Sequence, residues 1–354
     1  MSGTANDQEH PVAAWDAAWA VLAPLTDLVT PMAMRVAATL GLTDLLGGDT
    51  LPAAELARRS NTDPDALERL LRHLACRGVY IEPEPGRFAV NEPAALLAAD
   101  HPAGMRGWLD LDGFGGRMDL AFTGLLHTVR TGQPAWETVF GAPFWRYLDE
   151  NPHVSASFDA VMAAGADYLA DAAAAYDWSR AGHVVDVGSG TGALIAEVLA
   201  AAPDLRATLV DLPDTIERGR AHLTARGLDD RCEFAAQSFF EPLPAGGGAY
   251  ILKRVLHDWS DADAVRILRR CAEAAGTHGH VVVIEGNGSS GADPAVLAEM
   301  DLRMLVLSGG RERPADHYAA LATEAGLTVT ETRTTPLGHV VLDCRPASPA
   351  PARP

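Results

Sequence analysis

The stretch His183–Leu199, "HVVDVGSGTGALIAEVL", decides how this chain folds. Five β-prone residues lead into glycines at 188, 190 and 192, then into an apolar run of helical length. Strand, glycine turn and helix in that order open a ligand-binding α/β sheet. Ending at Ala193, the glycines also satisfy G-x-G-x-x-[GA], in which a pyrophosphate rests on the helix N-terminus. The loop alone leaves three readings open: a dinucleotide, a phosphate-free ligand, or a turn that serves packing only.

Beyond residue 182 the pattern alternates. Strand candidates are "HVVDV", "ATLVD", "CEFAAQ", "AYILKRV", "HVVVIEG", "TVTETRT" and "HVVLDC", with helical segments expected between the first six. Five βα units predict a parallel, doubly wound α/β sheet. Only a few residues around Pro336-Leu337-Gly338 join the last two strands, which makes the final strand antiparallel. Before residue 175 the periodicity is helical. "PMAMRVAATLGL" has Pro31 in its first turn and stops at Gly41, and "LPAAELARRS" follows. "DPDALERLLRHLACRG" has Asp63 as cap, Pro64 at the first helical position and Gly78 as stop. "VYIEPEPGRFAV" reads as a hairpin about Glu-Pro-Gly, so this region has a winged-helix order. "SFDAVMAAGADYLADAAAAYD" reads as one long Ala-rich helix.

Composition narrows the function. The 354 residues allow two domains. A net charge of −19 leaves nothing to neutralise phosphates, which disfavours nucleic acid and anionic membranes as partners. The winged-helix region carries Arg58, Arg59, Arg69, Arg72, Arg77 and Arg87. Glu55, Asp63, Asp65, Glu68, Glu82, Glu84 and Glu92 offset them, so burial against another subunit is expected there rather than DNA binding. Cys76, Cys232, Cys271 and Cys344 lie far apart, as in a reducing cytoplasm. The first residues lack a secretion signal's basic and apolar regions, and no uncharged apolar run reaches the length of a bilayer. The Pro/Ala-rich tail 347–354 is expected to be disordered.

Two carboxylates bear on the ligand. Asp211 ends the second strand, where an acid can accept both hydrogens of a ribose diol. Asp186 stands two residues before Gly188, where a dinucleotide site has an apolar residue. A carboxylate there repels pyrophosphate and suits a cationic ligand. S-adenosylmethionine has an ammonium, a sulfonium and no phosphate, and the glycines would then allow close backbone approach.

The run "VVDVGSGTG…ATLVDLPDTIERGR…FAAQSFFEPLP…AYILKRVLHDWSDADAVRILRRCAEA…HVVVIEG…DLRMLVLSGGRERPADHYAALATEAGL" resembles the metal-independent, S-adenosylmethionine-dependent small-molecule O-methyltransferases. These include plant caffeate and isoflavone enzymes and bacterial enzymes that methylate polyketide and other natural-product hydroxyls. "MAMRVAATLGLTDLL" and "GRFAVNEPAALL" extend the resemblance into the N-terminal half. It implies a winged-helix homodimerisation domain over 1–110, a helical linker and substrate-pocket segment over 111–178, and a Rossmann-like cofactor domain over 179–346. It also implies that Gly188 and Gly190 lie against the cofactor, Asp211 and Leu212 hold the ribose, Ser238 and Phe239 flank the adenine, and Lys253 stands nearby. Lys253 is the chain's only lysine. Many relatives have Gly-Asp where this chain has Gln237-Ser238, and serine accepts from the adenine amino group more weakly.

"KRVLHDW" puts His257 just beyond the fourth strand. A phenol has a pKa of about 10, so little of it is phenolate at neutral pH, and a histidine can take its proton as the oxygen attacks. By the resemblance, Glu285 and Glu312 hold the histidine ring and stabilise its protonated form. Trp259 is assigned to packing, and Asp258 to local hydrogen bonding at the substrate edge. His10, His73, His127, His222 and His317 are read as structural. No His/Cys/Asp cluster has metal-ligand spacing, so a base rather than a metal should activate the hydroxyl. Phe144, Trp145, Phe158, Met162, Arg303 and Met304 match regions that line the family's acceptor cavity. The density of rings between Asp112 and Asp149 suggests a flat aromatic acceptor, although core packing explains most rings equally well.

Three rivals stand beside this reading. Some relatives keep fold and cofactor, lack the histidine, and catalyse hydroxylation or decarboxylation; His257 argues against that here. A ligand-sensing winged-helix regulator is disfavoured by the acidic balance. A nicotinamide-dependent oxidoreductase is disfavoured by Asp186 and the terminal hairpin.

Overall fold

A computed structural model describes residues 11–163, 166–286 and 294–347. His10 and tail residues 348–354 lie outside them. The chain forms two compact units, Met1–Leu111 and Asp112–Pro354.

The first unit is helical with one small sheet. Helix Val29–Thr39 has Pro31 in its first turn, and Gly41 follows at φ +62°. Helix Ala53–Ser60 precedes helix Pro64–Cys76, whose Asp63 cap accepts the Ala66 N–H at 2.9 Å. Strands β1 (Leu51–Pro52), β2 (Ile81–Glu84) and β3 (Arg87–Ala89) form an antiparallel sheet in the order β1-β3-β2. The Pro85-Gly86 turn joins β2 to β3, as its composition required. Leu42, Leu46, Leu56, Leu71, Leu74, Tyr80 and Phe88 make the core.

Helix Pro11–Leu22 and the start of Val29–Thr39 stay outside that core. Trp15, Trp19, Leu22, Leu25, Leu28 and Val29 are all more than half exposed. By length and composition Trp15–Thr39 reaches a membrane span. It carries Asp16, Asp27 and Arg35, and helix breaks at Asp27–Leu28.

In the second unit a seven-stranded sheet carries the fold. Its strands are β4 (His183–Val187), β5 (Arg206–Asp211), β6 (Cys232–Ala236), β7 (Ala249–Lys253), β8 (His280–Gly286), β9 (Leu327–Thr334) and β10 (His339–Pro346), in the order β6-β5-β4-β7-β8-β10-β9. The pairs from β6 to β8 are parallel. The last strand is antiparallel, as its short link requires, and slots between β8 and β9. Alternate residues feed two cores. Val185 and Val187 pack with Ile267, Leu268 and Leu321 on one face, and Val184 packs with Ile195, Leu199 and Leu223 on the other.

Two sequence expectations need correction. No helix joins β6 to β7, because Pro242, Pro244 and Gly246–Gly248 break the pattern there, leaving four helical crossovers where five βα units were expected. The expected single Ala-rich helix is two, Pro152–Met162 and Ala166–Ala173, with residues 164–165 outside the described set.

The chain crosses from one side of β4 to the other at β7, so the carboxyl ends of β4 and β7 flank the switch point where such sheets bind ligands. The glycine turn stands there. Gly192 has φ +73°, and a Cβ on it would lie 2.7 Å from Leu209 Cδ2. Gly192→Ala should therefore lower stability by about 2 kcal/mol or more, read as a lower urea midpoint. A loss below ~0.5 kcal/mol would mean that this turn and its neighbours yield freely.

Candidate active site

Four acids and bases end adjacent strands at one edge: Asp186 on β4, Asp211 on β5, Lys253 on β7 and Glu285 on β8. Sheet register brings them together from positions 99 residues apart in the chain.

Asp211 accepts the Gly190 N–H through Oδ2 at 2.8 Å and the Leu212 N–H through Oδ1 at 2.7 Å. Burial nonetheless outweighs these bonds and pushes its pKa up to about 6. Burial also pushes Asp186 up to about 7, against the pull of Lys253, and it lowers the Lys253 ammonium. The edge is therefore rich in carboxyl groups and short of cations. The three glycines divide. A Cβ on Gly188 would meet Val255 Cγ2 at 2.8 Å, whereas one on Gly190 would meet nothing within 4 Å. Packing requires Gly188 and Gly192, and only Gly190 faces open space. An open backbone face beside Asp211, above a buried Asp186, fits a ligand with a ribose and a cationic end. It does not suit a pyrophosphate.

Phe239 lies on the same edge, 5.7 Å from the Trp259 ring. Ser238 Oγ accepts the Phe240 N–H at 3.3 Å, and Gln237 Nε2 donates to the Pro242 carbonyl.

His257 sits in a short 3₁₀ turn after β7, 6% exposed. Its Nδ1 lies 3.0 Å from Glu312 Oε1. The carboxylate accepts a hydrogen bond from Nδ1–H, so in the neutral ring Nε2 carries the lone pair. Asp258 Oδ1 is 3.5 Å from Nε2, beyond a good hydrogen bond. Burial works against the Glu312 charge, but the His257 bond and the Arg254 charge hold its pKa at about 2. Burial and Arg254 lower the His257 pKa, and Asp258, Glu312 and Glu285 outweigh them, so it lies above its usual value. Burial raises Asp258.

The loop Gly309–Pro314 sets Glu312. The Arg311 N–H donates to the His257 carbonyl at 2.7 Å, and the Glu312 N–H donates to Asp301 Oδ1. A Cβ on Gly310 would lie 2.2 Å from the His257 carbonyl oxygen, so glycine alone allows this approach. Arg313, 1% exposed, donates to the Leu256 and Trp259 carbonyls and pairs with Asp261.

Glu285 stands one step back. Its Oε1 accepts the Val255 and Leu256 N–H groups at 3.0 and 2.7 Å, so it grips the turn that carries His257 rather than the ring. Its other oxygen is buried with no hydrogen-bond partner among the described residues. The ring contact expected of Glu285 is not among the hydrogen bonds of the described residues: Oε1 is turned to the two amides, and Oε2 meets no donor.

The aromatic segment forms one cluster. Phe158 packs edge-on against Phe114 at 4.9 Å and contacts Phe144 and Trp145. Trp145 stacks on Trp259 at 5.8 Å, 12° from parallel, and its indole N–H is buried without an acceptor among the described residues. Met162 is 43% exposed and Met304 is buried. Arg303 is held by Asp119 at 2.7 Å and Glu299 at 2.8 Å. Of the histidines read as structural, His73 bonds Thr30 and His317 bonds Asp261. Among the described residues no three His, Cys, Asp or Glu side chains group as a metal site.

Sequence reasoning missed Arg254, Tyr168 and Arg313. Arg254 shares Glu312 Oε1 with His257, at 3.3 Å. Tyr168 packs its ring against His339 at 3.8 Å and under the Lys253 ammonium at 5.3 Å. Arg254 and Arg313 adjoin motifs already singled out, so adjacency was the available signal.

Residues 122–328 match the model of an O-methyltransferase domain, and residues 24–100 that of an O-methyltransferase dimerisation domain. A 2,7-dihydroxy-5-methyl-1-naphthoate 7-O-methyltransferase of Streptomyces carzinostaticus is 46% identical over 310 residues, covering 87% of this chain and 92% of its own length. The aclacinomycin 10-hydroxylase RdmB of Streptomyces purpurascens is also 46% identical, over 324 residues, covering 89% of this chain and 85% of its own. Among solved structures, an O-methyltransferase from neocarzinostatin biosynthesis, in complex with S-adenosylmethionine and 2-hydroxy-5-methyl naphthoic acid, superposes with a TM-score of 0.85 at 43% identity. That match covers 91% of this chain and 98% of the other. The chain belongs to the S-adenosylmethionine-dependent O-methyltransferase family, with its dimerisation domain ahead of its catalytic one.

Proposed function

We propose that this protein methylates a phenolic hydroxyl on a small fused-ring natural product, with His257 as general base. The observation that carries the reading is the His257 Nδ1–Glu312 hydrogen bond, which leaves Nε2 as the acceptor. Bound S-adenosylmethionine supplies an electrophilic methyl group on a sulfonium. Asp211 receives the ribose hydroxyls with Leu212 beside it, Asp186 faces the cationic end, and Gly190 lets the ligand approach the backbone. Ser238 and Phe239 border the adenine, and Lys253 closes the edge. His257 Nε2 takes the hydroxyl proton as the oxygen forms its bond to carbon and the carbon–sulfur bond breaks, leaving S-adenosylhomocysteine. Glu312 balances the imidazolium that results. No step calls for a metal ion.

Asp258 and the cluster of Trp145, Phe158, Met162 and Met304 line the acceptor side. Relatives that act on naphthoate, mitomycin and aminohydroxybenzoate scaffolds support a flat aromatic acceptor. Arg303, neutralised by two carboxylates, acts as a wall of that side. Hydroxylation is the second reading, favoured by the 10-hydroxylase relative; the His257–Glu312 pair favours methyl transfer. The N-terminal unit, as a winged helix, pairs two copies through its exposed Trp15, Trp19, Leu22 and Leu25, and the dimer works in the cytoplasm.

With a hydroxynaphthoate acceptor and methyl-labelled cofactor, label should enter the product ether. His257→Ala should cut kcat by ~100-fold or more with S-adenosylhomocysteine affinity kept. Full transfer by that variant would remove His257 as base. Because only neutral imidazole accepts a proton, and Asp258, Glu312 and Glu285 raise its pKa against burial and Arg254, kcat/KM should climb with pH through a value above the ordinary histidine one. An acid limb below 6 would contradict that environment.

Calorimetry near pH 6.5 should show proton release on cofactor binding, since Asp186 and Asp211, near 7 and 6 when free, ionise beside a cation and a diol. Heats that do not vary with buffer ionisation enthalpy, or binding of NAD instead, would refute this cofactor site. Trp15→Glu with Trp19→Glu should shift the sedimentation of the dimer toward monomer. An unchanged dimer would place the interface elsewhere.

A further inference from the structure

We propose that Arg254 is a positioning residue for methyl transfer: it holds the Glu312 carboxylate against the His257 ring and opposes the charging of that ring by the acids around it. The inference rests on His257 being the base. Arg254 follows Lys253 at the end of β7 and has φ +56°, a left-handed conformation that costs a side-chain-bearing residue about 1 kcal/mol or more. Its N–H donates to the Ile284 carbonyl at 2.9 Å, which holds the turn. The strained backbone directs the guanidinium beside Glu312, with Nη2 3.3 Å from the same Oε1 that receives His257 Nδ1.

Gly286 completes the arrangement. A Cβ there would lie 2.6 Å from Arg254 Nη1 and 3.4 Å from Glu312 Oε2. Glycine at the end of β8 is therefore the clearance that lets the guanidinium reach the carboxylate.

One oxygen shared between a fixed cation and an imidazole does two things. It pins Nδ1 as the protonated nitrogen, because Oε1 is held in place as acceptor. It also sets a permanent positive charge near a ring that must begin neutral. The other groups facing the pair are Asp258 on the same turn, Glu285 on β8, Lys253 on β7, Tyr168 on helix Ala166–Ala173 and Tyr318 on helix Ala315–Glu324. The acids favour imidazolium. Without Arg254 only burial would oppose them, and the ring would hold its proton more tightly before substrate arrived.

The test follows the His257 ring by NMR titration of the ligand-free protein, together with pH–rate profiles. In Arg254→Met the ring should keep its proton to a pH higher by roughly one unit. At pH 7 kcat should fall ~10-fold, recovering as pH rises, with acceptor KM and S-adenosylhomocysteine affinity within ~3-fold. Arg254→Lys should restore part of the shift. Gly286→Ala, which retains every charge and displaces the guanidinium, should move the ring titration in the same direction. Unchanged titration in both folded variants overturns the proposal, as does a loss confined to KM, which would make Arg254 a substrate contact. If His257→Ala still transfers methyl while Arg254→Met shifts the ring, the base assignment fails and the charge coupling stands.

Discussion

The site depends on one hydrogen bond, from His257 Nδ1 to Glu312 Oε1 at 3.0 Å. An imidazole has two nitrogens, and the carboxylate fixes which of them carries the hydrogen in the neutral ring. Everything nearby serves that fixation. Glu285 grips the turn through two amides, Gly310 lets the opposite loop touch the His257 carbonyl, and Arg313 ties the loop to both sides of the turn. The acid arrives 55 residues after the histidine, from another element, so the pair exists only when the sheet edge and the loop meet.

Charge at the sheet edge follows the same economy. Burial pushes the carboxyl groups of Asp186 and of half-buried Asp211 above their ordinary range, against the pull of Lys253 on the first and of two amide hydrogen bonds on the second. A site left short of positive charge gains most from a ligand that brings its own. The glycine turn meanwhile answers to packing at Gly188 and Gly192, where a Cβ would meet Val255 and Leu209, while Gly190 faces open space.

The N-terminal unit is built on a different constraint. Its core of Leu, Tyr and Phe closes without the first helix, which keeps its tryptophans in solvent. That exposed apolar face is the surface which the proposed pairing of two copies would cover.

The sequence by itself determined the elements and the strand edge. Alternating apolar runs of strand length, the caps Asp63 and Gly78, and the short link at Pro336–Gly338 each act through neighbours a few residues away. The helix type, the hairpin and the antiparallel last strand were therefore legible. His257 was legible for the same reason, as it falls where a strand must end. The tertiary structure decided what joins distant residues: the insertion of β10 between β8 and β9, the placing of Glu285 on backbone amides rather than on the ring, and the sharing of Glu312 between His257 and Arg254. The missing helix before β7 is a local matter instead: Pro242, Pro244 and three glycines override an alternation that looks regular. Local preference is written in adjacent residues. Contacts between side chains tens of residues apart are set by sheet register and loop closure, which no short window of sequence contains.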